Sequence, residues 1–242
     1  MVDDLAKKIE SWLRQQMIDR GARGLVVGLS GGIDSAVTAA LCINACPDNT
    51  LGLIMPCHSD PRDAEHAVLL AEKIGLGYKT VVLDEIFSQM VVMLTGEEYD
   101  PGQKDLSVVN IKPRLRMTTL YFHSSRRRSL VVGTSNLCET TVGYSTKYGD
   151  GGADLLPIAN LVKAEVRELA RHLGVPREII EKPPSAGLWH GHDDEKELGV
   201  TYDQLDRYLL TGQADEKVKE IIDELAVNNL HKKQMPAIPP QY

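Results

Sequence analysis

The chain has 242 residues, a formal net charge of −7 and 43% hydrophobic residues. This length and apolar content suffice for one sizeable packed domain, and the acidic balance argues against a nucleic-acid-binding surface. We expect neither a signal peptide nor a membrane contact, because no apolar run is long enough to span a bilayer. The four cysteines form no Cys-x-x-Cys pair, so we expect a reduced, cytoplasmic setting.

The order of the apolar patterns predicts an α/β fold. An amphipathic first helix carries Leu5, Ile9, Trp12, Leu13 and Met17 on one stripe. Strands are then predicted at 25–27, 50–55, 78–83 and 130–134, and helices between them at 61–74, 85–94 and 109–127. This alternation is typical of a doubly wound parallel sheet with helices on both faces.

The last third of the chain does not continue this alternation of strands and helices. A helix is predicted at 162–173, and two more begin near Tyr202 and Asp215. Residues 183–198 are rich in proline and charge, which predicts a mobile loop that serves as a lid within a helical C-terminal segment.

Residues 28–35 read GLSGGIDS and predict a phosphate-binding turn. They follow a buried strand and open a helix, so backbone N–H groups of the glycines and of the first helical turn form an anion cradle. The turn contains no lysine and is therefore not a Walker A motif. Asp34 stands where it could hold Mg²⁺ against phosphate oxygens. The alternative is a glycine-rich turn without a ligand.

Residues 144–154, YSTKYGDGGAD, form a second unusual stretch. Two tyrosines, a lysine, two aspartates and three glycines suit a polar ligand that carries rings and hydroxyls. A solvated turn is the alternative.

Together with these two stretches, further motifs occur in a fixed order: NIKPRLRM at 110–117, GTSNLCE at 133–139, KPPSAGLW at 182–189, DEKELG at 194–199 and HKK at 231–233. Over nearly its whole length the chain resembles the ammonia-dependent NAD synthetases, which are N-type ATP pyrophosphatases. The resemblance implies an adenine nucleotide alpha hydrolase-like fold, a single domain over residues 1–242 without a glutaminase domain, and a homodimer.

The resemblance also implies a two-step amidation. The carboxylate of deamido-NAD attacks the α-phosphate of ATP and releases pyrophosphate. Ammonia then attacks the acyl-adenylate, which gives NAD and AMP. Mg²⁺ is the implied cofactor, and ATP, deamido-NAD and ammonia are the implied small-molecule partners.

Residue by residue, the matched motifs imply three groups of contacts. Asp34 and Lys163 are the implied catalytic residues, and Asp34 and Glu139 the implied metal ligands. The implied ATP contacts are Gly28, Leu29, Ser30, Gly31, Gly32, Ile33, Asp34, Ser35, Thr134, Lys163 and Ser185. The implied deamido-NAD contacts are Asn110, Arg114, Tyr144, Lys147, Asp154, Glu197, His231 and Lys232.

Several of these residues also have simpler interpretations. Taken alone, Glu139 would be interpreted as an acidic residue on the surface of a helix. Arg114 and Arg116 bracket a leucine on a helix, so we expect one of them to face solvent. The stretch from His190 to Asp194 resembles a metal cluster, although the family resemblance favours a lid.

Three other functions remain open from the sequence. A tRNA-modifying adenylase would need a basic surface, and the ATPase part of a glutamine-dependent amidotransferase would need a glutaminase domain. A non-catalytic nucleotide sensor would not need the metal acids Asp34 and Glu139.

Overall fold

The computed structural model describes residues 2–102, 104–189 and 191–241. In this part of the chain four parallel strands form one sheet in the order β3-β2-β1-β4. Leu25 of the central strand lies opposite Thr50 on one side and Leu130 on the other. The strands are β1 (Gly24–Gly28), β2 (Thr50–Ile54), β3 (Tyr78–Thr80) and β4 (Ser129–Val132).

Helices connect the strands and continue beyond them, and no described helix is long and apolar enough to cross a membrane. Up to β4 they are α1 (Val2–Asp19), α2 (Ile33–Ala45), α3 (Pro61–Ile74), α4 (Asp84–Thr95), α5 (Leu106–Val109) and α6 (Ile111–Arg127). After β4 come α7 (Leu137–Val142), α8 (Lys163–His172), α9 (Arg177–Ile180), α10 (Asp194–Leu198), α11 (Tyr202–Thr211), α12 (Glu216–Asn228) and a 3-10 turn at Leu230–Lys232.

The central strand β1 is buried on both sides, which confirms the doubly wound fold. Leu25 and Val27 belong to the core that includes α1, α2, α3 and α8. Val26 points the other way, into a core that includes Phe87 of α4 and Ile111 of α6. Because successive side chains of a strand point to opposite faces, helices cover both faces of the sheet.

Two predicted elements are shorter in the structure. The predicted strand at 78–83 is regular only over Tyr78–Thr80, although the N–H groups of Val81 and Leu83 still donate to the chain at and beyond the end of β2. The predicted helix at 109–127 begins at Ile111, so that Pro113 falls in its first turn, where a missing N–H costs no hydrogen bond.

The predicted loop at 183–198 is partly helical. Residues 194–198 form α10, capped by the carboxylate of Asp193, and Asp194 and Leu198 are buried. Leu198 belongs to a third core of α7, α11 and α12 that surrounds Tyr202. This core lies next to the chain that leaves the carboxyl end of β4, so the C-terminal helices reach the same edge of the sheet as the phosphate-binding turn.

The apolar stripe of α1 is used within the chain. Ile9 and Leu13 are buried, and α1 packs against α2 and α8. These two side chains are therefore used in packing within the chain. Among the large apolar side chains of α1, Trp12 of the stripe and Ile18 beside it are exposed, at 39% and 70%.

The packing of α1 leads to a stability prediction. Leu13→Ala should lower the free energy of unfolding by about 2–5 kcal/mol, because it leaves a cavity in a closed core. Urea unfolding followed by circular dichroism measures this. Ile18→Ala on the same helix is the control and should change the free energy by about 0.5 kcal/mol or less. Equal effects would mean that α1 is not docked as described.

Candidate active site

A large cleft opens at the carboxyl ends of β1 and β4, with a volume of about 1480 Å³. The neighbours of β1 in the sheet are β2 on one side and β4 on the other. The connection that leaves β1 and the one that enters β4 therefore run to opposite sides of β1, and a crevice lies between them. Open parallel sheets bind ligands at such a switch point. The cleft is lined by Gly28 of β1, Thr134 after β4, and parts of both stretches singled out in the sequence.

Hydrogen bonds of Ser30 and Ser35 stabilise the backbone of the turn at 28–35. The Ser35 hydroxyl donates to the Gly32 carbonyl oxygen. The Ser30 hydroxyl oxygen lies 3.0 Å from that of Ser35 and accepts a hydrogen bond from the Gly32 N–H. Gly32 caps α2 without a side-chain hydrogen bond. The first turn of α2 therefore keeps backbone donors for an anion.

Gly31 is required by the backbone of this turn. Its φ is +73°, and a Cβ would lie 2.3 Å from the carbonyl oxygen of Asp63. Asp63 also pairs with Lys182 over 2.5 Å. Among the predicted ATP contacts, Gly31, Ile33 and Lys163 do not line the cleft, because Gly31 faces Asp63, Ile33 lies in the core and Lys163 is buried against Asp34. The other residues of the turn line it, as do Thr134 and Ser185.

Three predicted residues meet in a buried charge cluster beside the turn. The Lys163 Nζ lies 2.5 Å from Asp34 Oδ2 and 3.8 Å from Glu139 Oε1. The side chain of Lys163 is 4% exposed and each acid 17%. These residues are brought from α2, α7 and α8, and their meeting makes Glu139 a member of the site rather than a surface acid.

The charges in this cluster act on one another. Burial, together with the negative charge of Asp34, raises the pKa of Glu139 to about 8. Burial disfavours the ammonium of Lys163, but the carboxylates of Asp34 and Glu139 outweigh it and raise the pKa of Lys163. The lysine therefore stays charged at neutral pH.

Two residues that the sequence interpretation missed hold this cluster. The amide of Asn136, fully buried, donates to Asp34 and to Glu139 over 2.9 Å each. Asp206 of α11 accepts from the backbone N–H groups of Lys163 and Ala164 at the start of α8. Asn136 and Glu139 also form a capping box, and their N-x-x-E spacing is a signal that would have pointed to Asn136.

The donor set at Asp34 and Glu139 fits a magnesium ion. Mg²⁺ is usually bound by one or two carboxylates together with substrate phosphates, and both acids line the cleft beside the phosphate-binding turn. Within the described ranges, no group of three or more His, Cys, Asp or Glu side chains could hold a metal by itself. His190 of the predicted metal cluster lies outside the described residues.

Of the other members of that cluster, Asp193 caps α10, whereas His192 and Asp194 belong to a polar network around Tyr144. The Tyr144 hydroxyl, with its single proton, lies within hydrogen-bond distance of two acceptors, Glu197 at 2.6 Å and Asp194 at 3.0 Å. His192 Nε2 lies 2.7 Å from Glu197. Tyr202 reaches from Asp194 to Glu139, at 3.4 and 3.3 Å, and so connects this network to the charge cluster.

The stretch at 144–154 is fixed by the C-terminal segment. Lys147 donates to the carbonyl oxygen of His231 over 2.7 Å, and Lys232 donates to that of Gly143 over 2.9 Å. Arg114 is exposed and lines the cleft, whereas Arg116 turns inward and donates to the Met55 carbonyl oxygen.

Seven of the predicted deamido-NAD contacts line the cleft, and one does not. Asp154 instead accepts from the Val131 N–H of β4 over 2.7 Å and from the Tyr121 hydroxyl over 3.1 Å. It therefore ties the loop to the sheet. The seven that line the cleft are Asn110, Arg114, Tyr144, Lys147, Glu197, His231 and Lys232.

Comparison with known proteins agrees with this geometry. The NAD synthase family model matches residues 5–238. The chain belongs to the NAD synthase family. The NH(3)-dependent NAD(+) synthetase of Carboxydothermus hydrogenoformans is 47% identical over 98% of this chain and 97% of that protein. The enzyme of the same name from Methanocaldococcus jannaschii is 41% identical over 98% of this chain and 97% of that protein.

Solved structures of this family have the same fold. The NMN synthetase from Francisella tularensis aligns with a TM-score of 0.93 and 35% identity, covering 100% of this chain and 99% of that one. The NH3-dependent NAD synthetase from Campylobacter jejuni, in complex with the nitrate ion, aligns with a TM-score of 0.80 and 29% identity over 99% of each chain.

The raised pKa of Glu139 predicts a pH-dependent stability. A carboxyl group in an unfolded chain titrates near about 4.3, whereas that of Glu139 titrates at about 8 in the folded protein. The folded state therefore binds a proton between these values, and the wild type loses stability as the pH rises through this window. Glu139→Gln cannot ionise and escapes this loss.

Relative to wild type, the free energy of unfolding of Glu139→Gln should therefore rise between pH 5 and pH 8.5 by on the order of 1–3 kcal/mol. Urea unfolding at both pH values measures it, with the same substitution at the exposed Glu72 as the control. A difference that does not change with pH would contradict the buried, charge-repelled carboxyl.

Proposed function

We propose that this chain amidates deamido-NAD to NAD with ATP and ammonia, through an acyl-adenylate, and releases AMP and pyrophosphate. One observation carries the proposal. The turn at 28–35 and the acids Asp34 and Glu139, which pair with the buried Lys163, line one cleft together with a loop suited to a nucleotide, in a chain that belongs to the NAD synthase family. The reaction is the last step of NAD biosynthesis.

The residues of the cleft suit this chemistry. A carboxylate is a poor acyl donor until one of its oxygens is part of a leaving group, and adenylation makes it so. Phosphoryl transfer needs positioning and charge neutralisation more than covalent help. The turn at 28–35 would hold the phosphates with backbone and hydroxyl donors, and the ammonium of Lys163 would supply a buried positive charge beside them.

Mg²⁺ bound by Asp34 and Glu139 would add to this neutralisation of phosphate charge. Asn136 holds the two carboxylates together, and Asp206 fixes the backbone at Lys163. We propose ATP as the co-substrate and Mg²⁺ as the cofactor on these grounds.

The substrate end of the cleft carries positive charge and aromatic surface. Arg114, Lys147 and Lys232 line it, and so does Tyr144, whose hydroxyl lies 2.6 Å from Glu197. These residues suit the phosphates and rings of a dinucleotide. We propose that Asp154 contributes by holding the loop against β4 rather than by touching the substrate.

A second candidate substrate is nicotinic acid mononucleotide. The structure with the higher TM-score among those compared is an NMN synthetase, at 0.93 against 0.80 for two NAD synthetases. Amidation of the mononucleotide by the same two steps would yield NMN. The adenylation machinery would be unchanged, because the mononucleotide carries the same carboxylate and lacks only the AMP half.

We also propose that residues 1–242 act as one domain, that the protein is cytoplasmic and that it is a homodimer. An apolar stripe on α4 is left exposed, formed by Ile86, Met90 and Met93 together with Val82 just before the helix. Their spacing places them on one helical face. Exposed patches of this kind mark interaction surfaces, and two-fold dimers are the commonest soluble assemblies.

The function is tested by incubating the purified chain with ATP, Mg²⁺ and ammonium, and with either deamido-NAD or the mononucleotide. We expect AMP and NAD from deamido-NAD, and we expect glutamine not to replace ammonium. A higher kcat/KM for the mononucleotide would make NMN formation the main activity. AMP formation with neither carboxylate would contradict both assignments.

The charge of Asp34 should be essential to this reaction. Asp34→Asn keeps the shape of the side chain but removes its charge, and should lower AMP formation by about 100-fold or more, the scale of losing one electrostatic contact to the transition state. Asp203→Asn, at an 88% exposed side chain, is the matched control. Activity of Asp34→Asn within about threefold of wild type, far below that scale, would contradict the metal and charge role.

The dimer is tested at the α4 stripe. Light scattering of the wild type should give about twice the 26.7 kDa chain mass. Met93→Glu, at an 85% exposed position, should give a folded monomer. Met235→Glu, at an 87% exposed position in the C-terminal segment, is the control and should remain dimeric. A monomeric wild type would contradict the homodimer, and a dimeric Met93→Glu would place its interface elsewhere.

A further inference from the structure

The ammonium of Lys163 occupies the position of a counter-ion between the two acids. It lies 2.5 Å from Asp34 and 3.8 Å from Glu139, and only 4% of its side chain is exposed. The ring of Tyr202 lies 4.5 Å from the same Nζ, at cation–π distance. The ammonium is thus enclosed by two carboxyl groups and an aromatic face.

The backbone of α8 fixes this arrangement. Lys163 is the first residue of α8, where the helix dipole disfavours a cation. Asp206 accepts from the N–H groups of Lys163 and Ala164 and so places a carboxylate at this helix end. The attraction that keeps the ammonium in place therefore comes from acids on other helices.

The two acids need a nearby cation whether or not a metal is bound. The same Asn136 nitrogen donates to both carboxylates at 2.9 Å, so Asp34 and Glu139 lie close together. Buried like charges at this range repel, and a buried charge without a partner is strongly destabilising. In the described residues the cation that meets both acids is Lys163.

We infer that Lys163 competes with a free divalent cation for the Asp34–Glu139 pair, so that the metal binds tightly only together with a nucleotide. The phosphates of the nucleotide offer the ammonium another anionic partner in the same cleft and release the acids for the metal. This inference rests on the proposed role of Asp34 and Glu139 as metal ligands. It adds an order of binding, in which the free protein excludes the ion.

The test measures Mn²⁺ binding without nucleotide, from the electron paramagnetic resonance signal of free Mn²⁺. Lys163→Gln should bind Mn²⁺ more tightly than wild type by about tenfold or more, the scale on which a close charge shifts the ion affinity of a carboxylate. Lys163→Arg keeps the charge and should bind as weakly as wild type. Asp34→Asn in the Lys163→Gln background should lose the gain.

Lys182→Gln is the matched control. This lysine lines the cleft and, like Lys163, pairs with an aspartate at 2.5 Å, but its partner is Asp63. Its loss should change Mn²⁺ affinity by less than about threefold, because it removes positive charge from the cleft without freeing the acid pair. A gain equal to that of Lys163→Gln would show a general effect of cleft charge and overturn the inference.

The wild type provides a second measurement that does not depend on a folded Lys163→Gln. Adding a non-hydrolysable ATP analogue to wild-type protein should raise its Mn²⁺ affinity beyond that of the analogue alone. Mn²⁺ binding to nucleotide-free wild type that is as tight as binding to Lys163→Gln, or as tight as binding with the analogue, would overturn the inference. The amidation assay stays separate, because its failure would remove the proposed function and leave these Mn²⁺ affinities unchanged.

Discussion

The site depends on one interaction, the buried contact of Lys163 with Asp34 and Glu139. It joins α2, α7 and α8, which approach the carboxyl edge of the sheet from different directions. A buried ion cluster of this kind adds little to the free energy of unfolding, because the desolvation of its charges offsets much of their attraction. Its value lies in specificity, since any shift of one helix would leave a buried charge unpaired. The cluster therefore fixes where Lys163 and Glu139 stand relative to Asp34 and the turn at 28–35.

The polar network around Tyr144 extends this constraint to the substrate end. Asp194 accepts from the Ala186 N–H at 2.7 Å and from the Tyr144 hydroxyl, and Tyr202 connects it to Glu139. The segment at 183–189, which has no regular structure, is thereby attached to the same acids that surround Lys163. A ligand that displaced Tyr144 or Glu197 would change the hydrogen bonds of Asp194 and of this segment together.

Some of these features are visible in the sequence because they are local. The strand, turn and helix around residues 28–35 follow from neighbouring residues alone, and so does the capping of α3 between Asp60 and Gly75. Asp206 could not be identified in this way, since its partners at the start of α8 are more than forty residues away in the chain. Asp154 was assigned to the substrate from a matched motif, but only the tertiary structure shows that both its oxygens face β4 and α6.

The arrangement separates two tasks that the same cleft must perform. Backbone donors of the turn at 28–35 are neutral and suit the phosphates in every protonation state, and their geometry is set locally by Ser30 and Ser35. Apart from that of Asp34, the formal charges of the cluster come from distant elements and are held by contacts that depend on folding of the C-terminal helices. Because Asp206 of α11 anchors Lys163, the charge cluster is complete only when the last part of the chain has packed onto the sheet. The turn that we propose binds phosphate thus belongs to the first βα unit, whereas the charge cluster beside it depends on the whole fold.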